Sequence, residues 1–182
     1  MKIVSILANN YNRNFSFGNS NIRETKNILK AEVVNPLNSK GVVERVIESS
    51  CSIEGKIVGK SGYGYMLLVG FTNTDTKETV DWMVNKVLNL RIMDDENKVM
   101  NKSILDIQGE ILSISQFTLY GDPSKGNRPS YINAANGSIS EPLYDYFNQK
   151  LAEKVHVETG RFGADMKISL INDGPSTIII EK

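Results

Sequence analysis

The chain has 182 residues, of which 40% are hydrophobic and 23% charged, and its 21 basic side chains balance 21 acidic ones. These values are typical of one globular domain with a buried core. A formal net charge of zero argues against a protein that binds long stretches of nucleic acid, because such proteins usually carry a basic excess. No run of 18 apolar residues is present, and the single cysteine, Cys51, cannot form an internal disulfide. We therefore expect no membrane contact and a cytoplasmic location.

Composition divides the chain near residue 40. Residues 1–40 are rich in Asn and Ser, and their six basic and two acidic side chains give a net charge of +4, so residues 41–182 carry −4. So polar a segment buries little surface to offset its ordering entropy, which predicts a flexible N-terminal extension. A basic arm that contacts RNA and an additional strand are the alternatives. We expect one folded domain over residues 41–182.

The first half of this domain is predicted to contain three strands and one helix. The predicted strands are residues 42–53, 56–60 and 65–69. Residues 77–90 form the clearest helical pattern, with Thr74, Asp75 or Thr76 as the N-cap. The apolar residues at helical spacing, which predict a face packed on the core, are Val80, Met83, Val84, Val87 and Leu88.

The second half is predicted to add four strands and a second helix. The predicted strands are residues 110–120, 155–159, 166–171 and 177–181. A helix is predicted over residues 141–154, with Ser140 as its N-cap and Pro142 in its first turn. Residues 172–177 are predicted to form a turn between the last two strands. Many strands with two inserted helices indicate an α+β fold with a curled, barrel-like, antiparallel-rich sheet.

Most familiar catalytic motifs are absent from the sequence. Its one histidine, His156, lies in a strand pattern away from any nucleophile, which is typical of a structural residue. Cys-x-x-Cys and His-Glu-x-x-His pairs are missing, so no metal site is predicted. The Gly-x-Ser-x-Gly elbow and the glycine-rich phosphate and dinucleotide loops are missing as well, so no cofactor is predicted. A side-chain triad is therefore not expected to supply the catalysis.

Two short segments stand out instead. Ser-Gln-Phe-Thr-Leu at residues 115–119 closes an apolar strand pattern, and Asn-Asp-Gly-Pro-Ser-Thr at residues 172–177 separates two apolar segments. Glycine before proline can take backbone angles that other residues avoid, and X–Pro bonds are the only peptide bonds that are cis at modest cost. Each segment, taken alone, is compatible with an ordinary strand end or turn.

Together the two segments resemble the signatures of the D-aminoacyl-tRNA deacylases, Ser-Gln-Phe-Thr-Leu and Asn-x-Gly-Pro-(Val or Phe)-Thr. Three further segments match the same family: Leu-Asn-Leu-Arg-Ile at residues 88–92, Lys-Gly-Asn-Arg-Pro-Ser at 125–130 and Thr-Gly-Arg-Phe-Gly-Ala-Asp-Met at 159–166. The resemblance covers essentially all of residues 41–182 and leaves residues 1–40 outside. The chain departs from the pattern at Ser176, where the family has Val or Phe, and at Glu44, where it commonly has Gln.

The resemblance implies an enzyme that hydrolyses the ester linking a D-amino acid to the acceptor end of tRNA. It also implies a homodimer whose active sites lie at the subunit interface. Gly174-Pro175, cis in the family, would reach from one subunit into the pocket of the other. Its backbone would exclude the side chain of an L-amino acid and admit a D-amino acid or glycine. By their motif positions, Arg45, Met166 and Asn172 would shape this substrate pocket.

The resemblance assigns the chemistry to backbone groups and to the substrate itself. N–H groups around Ser115, Gln116 and Phe117 would stabilise the oxyanion of the tetrahedral intermediate. The 2′-hydroxyl of the terminal adenosine would assist the attacking water, in keeping with the lack of a catalytic histidine or cysteine. Thr177 is assigned a positioning role, because no adjacent base is evident that would activate its hydroxyl as a nucleophile. Covalent catalysis by Thr177 is the alternative.

Two other functions stay open at this point. A nucleic-acid-binding or scaffolding protein of the same fold would have lost catalysis, and Ser176, Glu44 and the basic residues before position 41 favour it. An editing hydrolase with relaxed chirality would accept a misplaced L-amino acid, and Ser176 beside the Gly-Pro pair favours this reading.

Overall fold

The computed structural model describes residues 38–182, where eight strands, two α-helices and one 3₁₀ helix follow each other along the chain. The strands are β1 (Lys40–Ile53), β2 (Lys56–Ser61), β3 (Gly64–Gly70), β4 (Met93–Asp94), β5 (Met100–Lys102), β6 (Glu110–Ser115), β7 (His156–Thr159) and β8 (Lys167–Glu181). The helices are α1 (Lys77–Asn89) and α2 (Gly137–Ala152), and the 3₁₀ helix covers Phe117–Tyr120. No helix in this part of the chain is long and apolar enough to cross a membrane.

One six-stranded mixed sheet forms the body of the domain. The long β1 pairs antiparallel with β3 through its first half, with β2 through its second half and with β8 along nearly its whole length. β6 runs parallel to both β3 and β7. The sheet curls until β2 approaches β7, so closely that a Cβ on Gly59 would lie 2.5 Å from the carbonyl oxygen of Thr159. The predicted α+β fold with a barrel-like sheet and two helices is confirmed, and the parallel pairings were not predicted.

Two apolar clusters lie on opposite faces of this sheet. In the larger, α1 and α2 pack on the face that carries Tyr65 and Leu67. All five residues of the predicted stripe on α1 are buried there, and the helix begins after Thr76, one of the predicted N-caps. Because side chains alternate along a strand, Met66 faces the other way and joins the smaller cluster, which is closed by the half-buried side chains of β8.

The start of the second helix and the end of β6 lie four or five residues from their predicted positions. The second helix begins at Gly137, because Asn136 rather than Ser140 is the N-cap and its side chain accepts a hydrogen bond from the N–H of Ile139. The strand predicted over residues 110–120 ends at Ser115, since the chain there turns into the 3₁₀ helix. Apolar residues of this 3₁₀ helix continue the pattern of the strand, and for that reason the sequence did not distinguish the two.

The segment at residues 172–177 also differs from its prediction. It is not a turn between two separate strands, because β8 runs from Lys167 to Glu181 and pairs with β1 on both sides of the segment. The six residues therefore form an irregular stretch within one long strand.

The folded domain includes the residues just before position 41. β1 begins at Lys40, Ser39 is fully buried, and the Tyr120 hydroxyl lies 2.8 Å from the carbonyl oxygen of Asn38. The predicted flexible extension, together with its RNA-binding and strand alternatives, otherwise lies outside the described residues.

Candidate functional site

A cavity of about 480 Å³ opens where β6 ends. Four of the residues predicted for the site line it: Ser115, Gln116, Phe117 and Met166. Ile114 and Ile168 give it apolar walls, while Ser140 of α2 and Phe162 of the loop before β8 lie along its sides. Apolar walls with a few polar groups at one end are typical of a pocket for a small organic group.

The turn from β6 into the 3₁₀ helix leaves backbone donors beside this pocket. Gln116 does not supply one, because its N–H donates to the carbonyl oxygen of Val69 at 2.8 Å, so the predicted oxyanion role does not hold for that group. Phe117 and Thr118 open the 3₁₀ helix, and their N–H groups have no hydrogen-bond partner within residues 38–182. The N–H of Phe117, at the pocket wall, is therefore available to a developing negative charge.

The side chain of Phe117 lies at the surface rather than in the core. It is 57% exposed, and its ring meets the ring of Tyr131 edge-on with 5.1 Å between centroids. Tyr131 is itself 40% exposed. Both aromatic side chains therefore lie at the surface next to the pocket, where they can contact a ligand.

The second predicted segment forms a bulge on β8. Glu44 of β1 pairs with Thr177 of β8, and Val46 of β1 pairs with Asn172 of β8. Three residues of β1, 44–46, therefore lie opposite six residues of β8, 172–177. Residues 173–176, which we call the bulge, therefore leave the ladder. Gly174 has a φ of +118°, an angle that favours glycine, and the Gly174-Pro175 peptide bond is cis. Gly174 and Pro175 are both exposed.

Arg45 holds the start of the bulge from within the fold. Its side chain is 7% exposed, and its Nε lies 3.1 Å from both the carbonyl oxygen and the Oδ2 of Asp173. Its Nη1 donates to the carbonyl oxygen of Ile92 at 2.8 Å and to Asp94 Oδ1 at 3.0 Å. A buried guanidinium needs such paired acceptors, and here they come from β8 and from the segment after α1. Arg45 thus fixes Asp173 relative to the helical side of the domain.

Tyr63 adds a second contact to the same carboxylate. Its hydroxyl donates to Asp173 Oδ2 at 3.3 Å. Burial, reinforced by the charge of Asp173 and by this hydrogen bond, raises the pKa of the Tyr63 hydroxyl. The group therefore stays protonated at neutral pH and remains a donor to Asp173.

Glu44 contacts both ends of the bulge. Its Oε2 accepts hydrogen bonds of 2.7 Å from Asn172 Nδ2 and from Thr177 Oγ1. The premise that Thr177 has no adjacent base is therefore wrong, since a carboxylate lies within hydrogen-bond distance. Sequence reasoning noted Glu44 only as a departure from a pattern, because the pairing that brings it to Thr177 joins positions 133 residues apart.

The predicted site residues form two groups that do not meet within one chain. Ser115, Gln116, Phe117 and Met166 line the pocket, whereas the other five residues do not. These five lie at or beside the bulge: Arg45, Asn172, Gly174, Pro175 and Thr177. Within the described part of the chain, no three His, Cys, Asp or Glu side chains are grouped as metal ligands would be.

A partly exposed apolar surface lies next to the bulge. By the strand register, Glu44, Thr177, Val42, Ile179 and Leu68 project from the same face of β1, β3 and β8. Ile179 is 58% exposed, and Val42 and Leu68 are half-buried. α1 and α2 pack on the opposite face, so this part of the sheet is not covered by either α-helix.

Comparison with known sequences identifies close relatives. A family model described as D-Tyr-tRNA(Tyr) deacylase matches residues 42–181. A protein of Limosilactobacillus reuteri (strain DSM 20016) named D-aminoacyl-tRNA deacylase is 55% identical over 142 residues, which are 78% of this chain and 98% of that protein. A protein of the same name from Brevibacillus brevis is 53% identical over 141 residues, or 77% of this chain and 97% of that one.

Solved structures share the fold. One described as c-Myc DNA Unwinding Element Binding Protein superposes with a TM-score of 0.75 and 38% identity, over 79% of this chain and 98% of its own. Another, described as a probable eukaryotic D-amino acid tRNA deacylase, superposes with a TM-score of 0.70 and 18% identity, over 80% of this chain and 100% of its own. At this low identity the second structure indicates a common fold only.

Proposed function

This chain belongs to the D-Tyr-tRNA(Tyr) deacylase family of ester hydrolases, and we propose that it frees tRNA of D-amino acids and glycine while a Gly-Pro backbone filter excludes L-amino acids. The observation that carries the proposal is the separation of the two groups of site residues. A pocket with an available backbone donor lies at the end of β6, and the exposed Gly174-Pro175 pair lies on a bulge that does not line this pocket.

We infer that a second copy of the chain joins the two groups. In a two-fold dimer each bulge would enter the pocket of the other subunit, and isologous dimers are the commonest oligomers. The uncovered surface around Val42, Leu68 and Ile179 supports this assembly, because it lies beside the bulge and offers apolar area to an interface. The site would then be complete only in the dimer.

The filter would act through backbone atoms. Gly174 has no side chain, so its backbone can approach a bound amino acid closely, at the place where an L side chain would project. A D-amino acid directs its side chain elsewhere, and glycine has none, so both would fit. Because the exclusion does not depend on the chemistry of the substrate side chain, one such site serves many D-amino acids.

Catalysis would need few protein side chains. The N–H of Phe117 would donate to the oxyanion of the tetrahedral intermediate, a contribution that typically accounts for about 10²–10³ in rate. The 2′-hydroxyl of the terminal adenosine would assist the attacking water, since no histidine or cysteine lines the pocket. The Thr177 hydroxyl is already bonded to Glu44, which fits a positioning role. The reaction would take place on tRNA in the cytoplasm and use no cofactor.

The direct test is release of amino acid from tRNA charged with D-tyrosine, L-tyrosine or glycine. We expect the D and glycyl esters to be hydrolysed far faster than the L ester. Equal rates on the two enantiomers would contradict the filter and support an editing hydrolase with relaxed chirality. Absence of turnover on every ester would contradict the whole proposal.

A second candidate function is nucleic-acid binding without catalysis. It is favoured by the 38% identical structure, because that protein is described as binding a DNA unwinding element. The same assay separates the two functions, since a binding protein would retain labelled tRNA or DNA in a gel-shift experiment and release no amino acid.

A further inference from the structure

Glu44 carries out no step of the reaction proposed above, yet it contacts both ends of the bulge. We propose that Glu44 sets how strictly this site discriminates D from L substrates, by holding the bulge in one position. The inference rests on the proposed function of the bulge as a chiral filter. Glu44 would be a positioning residue, because it acts through Asn172 and Thr177 rather than on the substrate.

Glu44, Asn172 and Thr177 form a hydrogen-bonded bridge across the base of the bulge, which we call the clip. Asn172 is the last residue before the bulge and Thr177 the first after it, and both donate to the same carboxylate oxygen at 2.7 Å. Hydrogen bonds to a charged acceptor are shorter and stronger than those between neutral groups. One side chain therefore joins the point where the bulge leaves β8 to the point where it returns.

The other side-chain contacts secure only the start of the bulge. Arg45 and Tyr63 both bind Asp173, its first residue. Gly174 and Pro175 are exposed, and the hydroxyl of Ser176 has no hydrogen-bond partner within residues 38–182. The returning end of the bulge is therefore joined to β1 by the backbone pairing of Thr177 with Glu44 and by the hydrogen bond between their side chains.

Discrimination by steric exclusion requires a filter that does not move. An L side chain is rejected only if displacing the backbone in its way is unfavourable, whereas a D side chain does not press on that backbone. Loss of the clip should therefore speed hydrolysis of L esters and affect D esters less. A purely structural role would give another result, because a loss of folded enzyme lowers both rates in proportion.

Two substitutions at position 44 distinguish the effect of losing the acceptor oxygen from the effect of losing the negative charge. Glu44→Gln can place its carbonyl oxygen where Oε2 accepts both bonds, and its amide nitrogen then takes the place of Oε1, which has no partner in the described residues. Glu44→Ala removes both bonds. Glu48→Ala is the matched control, since Glu48 is an exposed carboxylate on the same strand without a hydrogen bond to any described residue.

The experiment compares initial rates on D-tyrosyl-tRNA and L-tyrosyl-tRNA for these variants and the wild type. In Glu44→Ala we expect the D-to-L rate ratio to fall by about tenfold or more, mainly through a faster L reaction, while Glu44→Gln and Glu48→Ala stay within about threefold of wild type. Hydrogen exchange of the peptides that contain residues 172–177 should be faster in Glu44→Ala and unchanged in Glu48→Ala.

An unchanged ratio in Glu44→Ala, or D and L rates that fall together, would overturn this inference while leaving the wild-type filter intact. Equal D and L rates in the wild type would overturn the proposed function and this inference with it. If Glu44→Ala does not fold, the double variant Asn172→Ala with Thr177→Ala removes the same two bonds from the other side. It should lower the ratio in the same way, and an unchanged ratio there would also refute the role of Glu44.

Discussion

The hydroxyl of Thr177 donates a hydrogen bond of 2.7 Å to the carboxylate of Glu44, an acceptor that it reaches across paired strands. A threonine nucleophile requires a base that takes its proton as the attack occurs, so this contact reopens the question of covalent catalysis. The acceptor oxygen, however, also binds Asn172 at 2.7 Å, and Thr177 does not line the pocket of its own chain. Both facts favour a Thr177 hydroxyl that orients the bulge over one that attacks the substrate.

Thr177→Ala is therefore expected to retain turnover within about tenfold of wild type, because only an orienting hydrogen bond is lost. Thr177→Ser, which keeps the hydroxyl, is the matched control. The measurement is kcat at saturating D-tyrosyl-tRNA, with substrate binding determined separately.

The substrate hydroxyl should matter more than the protein hydroxyl. Transfer RNA that ends in 2′-deoxyadenosine, with D-tyrosine on the 3′ oxygen, should react about 10²–10⁴ more slowly, because it lacks the hydroxyl that we propose to assist the attacking water. An inactive Thr177→Ala enzyme, a trapped acyl-threonine in the wild type and normal turnover of the deoxy substrate would together establish covalent catalysis instead.

The assembly can be tested at Ile179, which is 58% exposed beside the bulge. Ile179→Lys places a charge on the uncovered apolar surface, so we expect a monomer that has lost deacylation, because no partner bulge completes its pocket. Val99→Lys is the control, since Val99 is 55% exposed in the β4–β5 hairpin. Light scattering and activity are measured on the same samples. A fully active monomer would contradict the shared site.

Residues 1–37 should be dispensable for catalysis, because their composition is polar and the family model begins at residue 42. The deletion should stop before Asn38, whose carbonyl oxygen accepts a hydrogen bond from the buried Tyr120. We expect kcat and KM for tRNA to stay within about threefold of the full chain. A large rise in KM alone would instead identify the segment as a basic arm that contacts RNA.

Closure of the barrel can be tested at Gly59. Gly59→Ala should lower the free energy of unfolding by about 1–3 kcal/mol, because the added Cβ would lie 2.5 Å from the backbone oxygen of Thr159. Gly137→Ala is the control, since its Cβ would approach Phe162 no closer than 3.8 Å and alanine suits the first turn of a helix. Urea denaturation at one fixed protein concentration compares the two variants. Equal stabilities would show that β2 and β7 can separate freely.

Local signals predicted local structure well. The buried face of α1 was predicted correctly, because its five apolar residues at helical spacing all pack on one face of the sheet. The sequence predicted the end of β6 and the start of α2 less well. At the end of β6 the apolar pattern continues from the strand into the 3₁₀ helix, and at the start of α2 the N-cap is Asn136 rather than the predicted Ser140. The clip formed by Glu44 was not predictable, because it depends on pairing between strands more than 120 residues apart.

The pairing of β1 with β8 also determines when the site can exist. The first and last strands of the described chain supply Glu44, Arg45 and the bulge, and β8 further supplies Ile168 to the pocket wall. Pairing between strands so distant in sequence carries a large loop-closure cost, and it cannot form until β8 has been synthesised. Docking of β8 on β1 therefore completes the wall of a chain's own pocket and, in the same step, forms the bulge that the chain would offer to its partner. In the proposed dimer, one strand pairing thus prepares both halves of the shared site, and association of two folded chains brings those halves together.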